Sequence, residues 1–191
     1  MKFFLLGIIL ILNFQSLTKA DDISEFEIEG ISIGDSLLQF FSEKEINSNL
    51  ADWYKNNEYS TSLLSIENYE TYKDLDVSFS SKDREYKIVS LAGIHVDAER
   101  ENCKLIKREI VNEIKQVIND KNVDFEERIE IHPIDPSGKS NVDSSYFYYK
   151  NGDAIVVQCF FFSKNVNYDD GLKVSITTDE YVDWLEYKAY Y

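Results

Sequence analysis

Glycine and proline are scarce in this 191-residue chain, at 7 and 2, and it has only 2 cysteines and 2 histidines. So little Gly and Pro excludes collagen-like and low-complexity architectures. Two histidines are too few for an imidazole-based zinc site, and neither Cys-x-x-Cys nor His-Glu-x-x-His spacing occurs. Basic side chains are outnumbered, 20 against 35 acidic ones, for a net charge of −15. That balance repels nucleic acid and excludes it as a partner by bulk charge. The one long apolar run, Phe3 to Leu12, is short of the roughly 20 residues that span a bilayer. What the chain does have is core material. Apolar residues make up 43% of it and aromatics 14%, which excludes disorder.

The N-terminus reads as an export signal. Lys2 precedes the apolar run, and Thr18-Lys19-Ala20 supplies small residues at the −3 and −1 positions. Residues 1–20 are therefore expected to be a signal peptide cut after Ala20, leaving a periplasmic or secreted protein. No Cys follows that point, so no lipid anchor and no stable membrane anchor after cleavage is expected. Cys103 and Cys159 both lie beyond it. Two cysteines in an oxidising compartment make one intramolecular pair, so a Cys103–Cys159 disulfide is expected. The rest, 21–191, reads as a single α+β domain.

Within it, 21–57 reads as an N-terminal helical appendage and 60–191 as a sheet with a long helix. Glu25 to Glu29 alternates as a short strand. A helix is expected from Asp35 or Ser36, with Leu37, Leu38, Phe40 and Phe41 on its apolar side. Ser42-Glu43-Lys44-Glu45 is a capping box for a second helix reaching about Tyr54. Strands are expected at 61–66, 74–80 and 86–96, the last one central. Leu75, Val77 and Phe79 face inward there, opposite Asp74, Asp76 and Ser78. Asp97 then caps a helix over about 97–119. Cys103, Ile106, Ile110, Ile114 and Val117 form its buried stripe. Residues 120–142 hold both prolines and read as a mobile loop, with Arg128 to Ile131 pairing briefly.

Tyr146 to Phe162 is the best hairpin signal. Asn151-Gly152 as a two-residue type I′ turn pairs Tyr148 with Ile155, Tyr146 with Val157 and Ser144 with Cys159. Cys159 then shares a face with Ile155 and Val157, and the Cys103 helix must lie on that face. The other face would carry Phe147, Tyr149, Val156, Phe160 and Phe162, an apolar surface that makes a candidate contact surface. A last strand with Leu172, Val174 and Ile176 leads into Thr177-Thr178-Asp179-Glu180, a second capping box. It opens a C-terminal helix with Tyr181, Val182, Trp184 and Leu185 inward. The fold class is thus α+β, a two-layer antiparallel sheet with a long helix on one face, an N-terminal helix pair and a C-terminal helix.

Catalytic motifs fail on their missing partners. Gly34-Asp35-Ser36-Leu37 resembles the block of the GDSL hydrolases, whose Ser is a nucleophile. That chemistry needs an Asp-x-x-His pair, and the residues three before His95 and His132 are Ala92 and Ile129. Gly138-Lys139-Ser140 ends like a phosphate-binding loop, but Pro133 stands where its first Gly is needed. Asp169-Asp170-Gly171 lacks the alternating oxygen ligands of a calcium loop. No catalytic, cofactor-binding or metal residue is assigned.

Three stretches together resemble short exported proteins of marine alphaproteobacteria with AT-rich genomes. They are Ile28 to Leu38, Ala92-Gly93-Ile94 with the Cys103 helix, and Leu172 to Ile176 with Tyr181 to Leu185. The resemblance implies a periplasmic location and carries over no function. The Gly-Ile-Ser-Ile-Gly segment before an antiparallel sheet is faintly similar to outer-membrane assembly lipoproteins and β-lactamase-inhibitor-like domains. The expectation is a non-enzymatic binding or interaction module of the envelope with an envelope protein as partner. The alternatives are a carboxylate-based periplasmic hydrolase and a small-ligand carrier.

Overall fold

A computed structural model describes residues 20–96, 100–119 and 121–191. The signal-peptide reading of 1–20 and the Asp97 cap therefore fall, apart from Ala20, outside the described residues.

The N-terminal segment is a set of buried anchors. Strands β1 (Glu27–Ile28) and β2 (Ile31–Ser32) pair through Ile28 and Ile31, both almost fully buried. Glu29 and Gly30 turn the chain between them, both at positive φ, as a two-residue hairpin demands. The Glu29 carboxylate accepts the N–H groups of Glu70, Thr71 and Tyr72 at 2.6–2.7 Å. The expected N-terminal helix pair is corrected here. Leu37–Gln39 is a single 3-10 turn, and α1 (Glu43–Ser48) is six residues long. The Ser42/Glu45 capping box does form. Phe26, Ile28, Ile31, Leu37 and Ile46 join the core of the main sheet. An amphipathic stripe is not needed when single side chains do the burying.

Two antiparallel meanders make the seven-stranded sheet. The first is β3 (Tyr59–Ser65), β4 (Asp74–Ser80) and β5 (Ile88–Val96). Helix α2 (Arg100–Val117) carries the chain across to β6 (Val123–Ile131). β7 (Asn141–Tyr149), β8 (Ala154–Phe161) and β9 (Gly171–Thr177) return stepwise, and β9 docks on β5. The order is β3-β4-β5-β9-β8-β7-β6, so β5 is interior and β9 central. Helix α3 (Asp179–Tyr187) ends the chain.

Alternation gives the sheet two unlike faces. The front face carries Leu75, Val77, Leu91, Val174, Ile176 and Val157, all at most 2% exposed. The N-terminal anchors cover its β3–β5 half. Over β8 lies α2, tied down by the Cys103–Cys159 disulfide as expected, across a sequence separation of 56 residues. Gly93 is on this face because Ile28 and the Tyr72 ring press onto it. A Cβ there would sit 2.5 Å from Tyr72 Cγ.

The expected hairpin register is off by one. Tyr149 N–H donates to Asp153, so the loop is Lys150-Asn151-Gly152, three residues rather than two. Gly152 takes the positive φ that closes such a loop. Phe147 therefore pairs with Ile155, Tyr146 with Val156 and Ser144 with Gln158. The expected mobile loop is also smaller. β6 is a full nine-residue edge strand, and the turn after it is pinned by Asp135. The buried Asp135 carboxylate accepts from the Ser137 and Ser140 N–H groups and from the Ser140 and Ser163 hydroxyls.

Candidate functional site: the back face of the sheet

The one-residue register change splits the expected contact surface. Phe147 and Tyr149 turn to the front and are buried, 0% and 5% exposed. Val156, Phe160 and Phe162 stay on the back, half-buried, and Tyr146 and Tyr148 join them. A shift of one residue moves every side chain of one strand through the sheet.

These residues form an aromatic strip over β7 and β8. The Tyr146 and Tyr148 rings lie 5.4 Å apart and nearly parallel, and Phe160 and Phe162 stack at 6.1 Å. His132 packs its ring against both phenylalanines, and burial lowers its pKa. The Arg128 guanidinium sits 5.3 Å from the centre of the Tyr146 ring. Burial raises the pKa of both tyrosines, so they stay neutral donors at ordinary pH.

Beside the strip lies an open polar cleft of about 190 Å³. Its floor is the back row of β4, β5 and β9, built from Ser78, Ser90, Ala92, Ser175 and Thr177. Such small side chains leave room above the sheet. Helix α3 and the segment before β3 wall the far side with Trp53, Tyr54, Tyr181 and Leu185. The helix is held there in an unexpected way. Thr178 makes no side-chain cap, so the second capping box does not form, and the Asp153 carboxylate of the β7–β8 hairpin accepts the Asp179 N–H instead.

The polar groups of the cleft are already ordered. Tyr181 OH bonds to Tyr54, Ser78 and Thr61 at 2.9–3.2 Å, and Thr61 to Ser78 at 2.8 Å. Ser90 pairs with Thr177. Burial, reinforced by Tyr181, drives the Tyr54 phenol above the ordinary tyrosine range. At the mouth, Lys173 Nζ donates to Asp76 at 2.6 Å and Gln158 donates to Ser144. Trp53, 48% exposed, stands at the rim.

This arrangement offers fixed donors and acceptors beside aromatic faces, without a hydroxyl activated by a base. The Ser36 of the GDSL-like block donates to the Glu85 carbonyl, and Asp35 accepts the Ser32 N–H, so both are structural. Ser140 is held by Asp135, and Asp170 accepts the Phe162 N–H. Among the described residues no cluster of three metal-ligating side chains occurs. Sequence reading missed Trp53, Asp76, Lys173 and Gln158 as a group. Its only usable trace was alternation in Gly171–Thr177, where Lys173, Ser175 and Thr177 oppose Leu172, Val174 and Ile176. Compared with family models, curated proteins and solved structures, the chain matches none of them.

Proposed function

We propose that this is an exported, non-enzymatic binding module of the cell envelope, and that it holds a polyhydroxylated, sugar-like chain on the back face of its sheet. The observation carrying this reading is the junction of the hydroxyl-lined cleft with the aromatic strip. Sugar rings present hydroxyls at their edges and C–H groups on their faces. The cleft supplies hydrogen-bonding partners for the first, and Trp53, Tyr146 and Tyr148 supply flat surfaces for the second. The disulfide and the leader-like N-terminus support export, to the periplasm or beyond. Among the described residues no helix is long and apolar enough to cross a membrane.

Trp53 is exposed at the rim and Trp184 buried, so the part of the tryptophan fluorescence that Trp53→Phe removes reports on the rim. Titration with soluble envelope oligosaccharides should give a saturable change that Trp53→Phe abolishes and Lys173→Met weakens. A flat titration across the oligosaccharides would overturn the sugar reading. The hydrolase alternative is read in the same tubes as new reducing ends. The strip extends beyond the cleft, which favours an envelope protein as the second reading. Cross-linking in the native periplasm that is lost in Tyr146→Ala/Phe160→Ala would support it.

A further inference from the structure

The large sheet covers one of its edges and leaves the other open. At β3 the preceding segment lies alongside, with Leu63 N–H donating to the Asn49 carbonyl and Ala51 N–H to the Thr61 carbonyl, both at 2.9 Å. At the far end of the strand order, β6 pairs with β7 alone. The ladder decides which of its backbone groups are left over. Lys150 N–H donates to the Asn122 carbonyl and His132 N–H to the Ser140 carbonyl, so the even-numbered residues between them also turn to β7. The odd-numbered ones, Val123, Phe125, Glu127, Ile129 and Ile131, turn their N–H and C=O groups outward and meet no partner among the described residues. Side chains follow the same alternation. The odd residues share the front face with Phe147, and Ile129 and Ile131 are 75% and 66% exposed there. The back row is Asp124, Glu126, Arg128 and Glu130, three carboxylates against one guanidinium. Glu126 already holds Arg128 through two hydrogen bonds, which leaves Asp124 and Glu130 as the excess charge. The front is of opposite sign, with Arg108 lining a cleft shared with Glu127 and Lys115 over the Phe125 ring.

We infer that β6 accepts an antiparallel strand from another protein, an extended segment that turns apolar side chains to the front and Lys or Arg to the back. Main-chain bonds to the five outward residues supply the affinity, and side chains supply the choice. Apolar neighbours cover Ile129 and Ile131, and cations meet Asp124 and Glu130. A basic side chain on the front would face Arg108 and Lys115, so the two faces of the incoming strand are not interchangeable. A second copy of β6 fits poorly. Aligned antiparallel about Glu127, it sets Glu127 against Glu127 and Asp124 against Glu130. The charges that guard this edge against copies of an acidic chain thus select a strand of opposite sign. The assignment stands apart from any sugar bound in the cleft.

The probe is an end-capped peptide as long as β6, nine residues, alternating Val and Lys and beginning and ending on Val. Titrated into the protein, it should bind saturably and one to one. In amide hydrogen exchange read by NMR, the Phe125, Glu127, Ile129 and Ile131 N–H groups should slow at least about tenfold in the complex. Those of Glu126 and Arg128 should change little, because β7 already holds them. N-methylation of the valines should abolish binding, since their N–H groups face β6 in this alignment, and N-methylation of the lysines should be tolerated. Replacing the peptide's Lys by Glu should weaken binding at least about tenfold, and Asp124→Lys/Glu130→Lys should reverse that preference. Both positions are exposed, and an unchanged circular dichroism spectrum verifies that the fold survives. No binding, equal binding of the Glu peptide, tolerance of methylated valines, or protection confined to the aromatic strip would overturn the assignment. So would a dimer in light scattering whose odd-numbered β6 amides are protected without peptide, which would make the occupant a second copy.

Discussion

Removing the disulfide tests how the two layers are held. Cys103 and Cys159 are both fully buried, and they link α2 to β8 across 56 residues. Cutting that link frees a closed loop in the unfolded chain. The chain-entropy relation puts the loss at ~4 kcal/mol for a loop of this size. In a protein of 150–250 residues each kcal/mol moves the midpoint by about 2–4 °C, so the Cys103→Ala/Cys159→Ala variant should melt roughly 8–16 °C lower. Urea unfolding followed by tryptophan fluorescence gives the free energy directly, because Trp184 is 1% exposed and reports on the fold. The slope against urea should rise, since an unlinked unfolded chain exposes more surface. Helix α2 also packs on the sheet through Ile110 and Ile114, so the variant should still fold. A loss under about 1 kcal/mol with an unchanged slope would refute the reasoning. It would mean that the linked residues stay together in the unfolded state without the bond.

Gly93→Ala should destabilise by about 1–3 kcal/mol, because the new methyl meets Tyr72 and Ile28. Adding Tyr72→Ala relieves the clash, so in urea unfolding the double variant should be more stable than the two single losses summed. Acid should loosen the turn after β6. Hydrogen bonds from Ser137, Ser140 and Ser163 hold the Asp135 carboxyl well below the usual carboxylate range. A lowered folded pKa contributes stability that is complete above the unfolded value near 3.9 and is lost as pH falls toward the folded one. Unfolding of Asp135→Asn should therefore depend less on pH below about 4 than that of the parent.

Much of the fold was legible in the sequence, and the misses share a cause. Alternation within one strand is intrinsic, so Ile155, Val157 and Cys159 were placed together correctly and the disulfide followed. Pairing between strands depends on counting loop residues, and Lys150 joined the loop where Asn151-Gly152 alone was read. That single residue exchanged Phe147 and Tyr149 for Tyr146 and Tyr148 on the back face. β6 was underread because Glu127 interrupts its alternation of Val123, Phe125, Ile129 and Ile131. Charged side chains there suit an unpaired edge, which they guard against further pairing. The N-terminal helices were overread from clustered Leu and Phe, of which Leu37 is a buried anchor while Leu38 and Phe40 stay exposed. The cleft was hardly legible at all. Its residues come from β3, β4, β5, β8, β9, α3 and the segment before β3, and only the closure of β9 on β5 brings them together.

That closure has a consequence for how the protein is made. The two meanders are each local in sequence, but their union depends on residues 171–177 near the end of the chain. Until those residues emerge, β5 and β8 are raw edges of two half-sheets, both lined with apolar side chains. Both cysteines precede β9, so oxidation can join α2 to β8 before the halves meet. Stalled at that stage, the chain is a bivalent sticky species that can add strands from a neighbour at either open edge. The time between the folding of β8 and the docking of β9 is therefore when the chain is most exposed to misassembly.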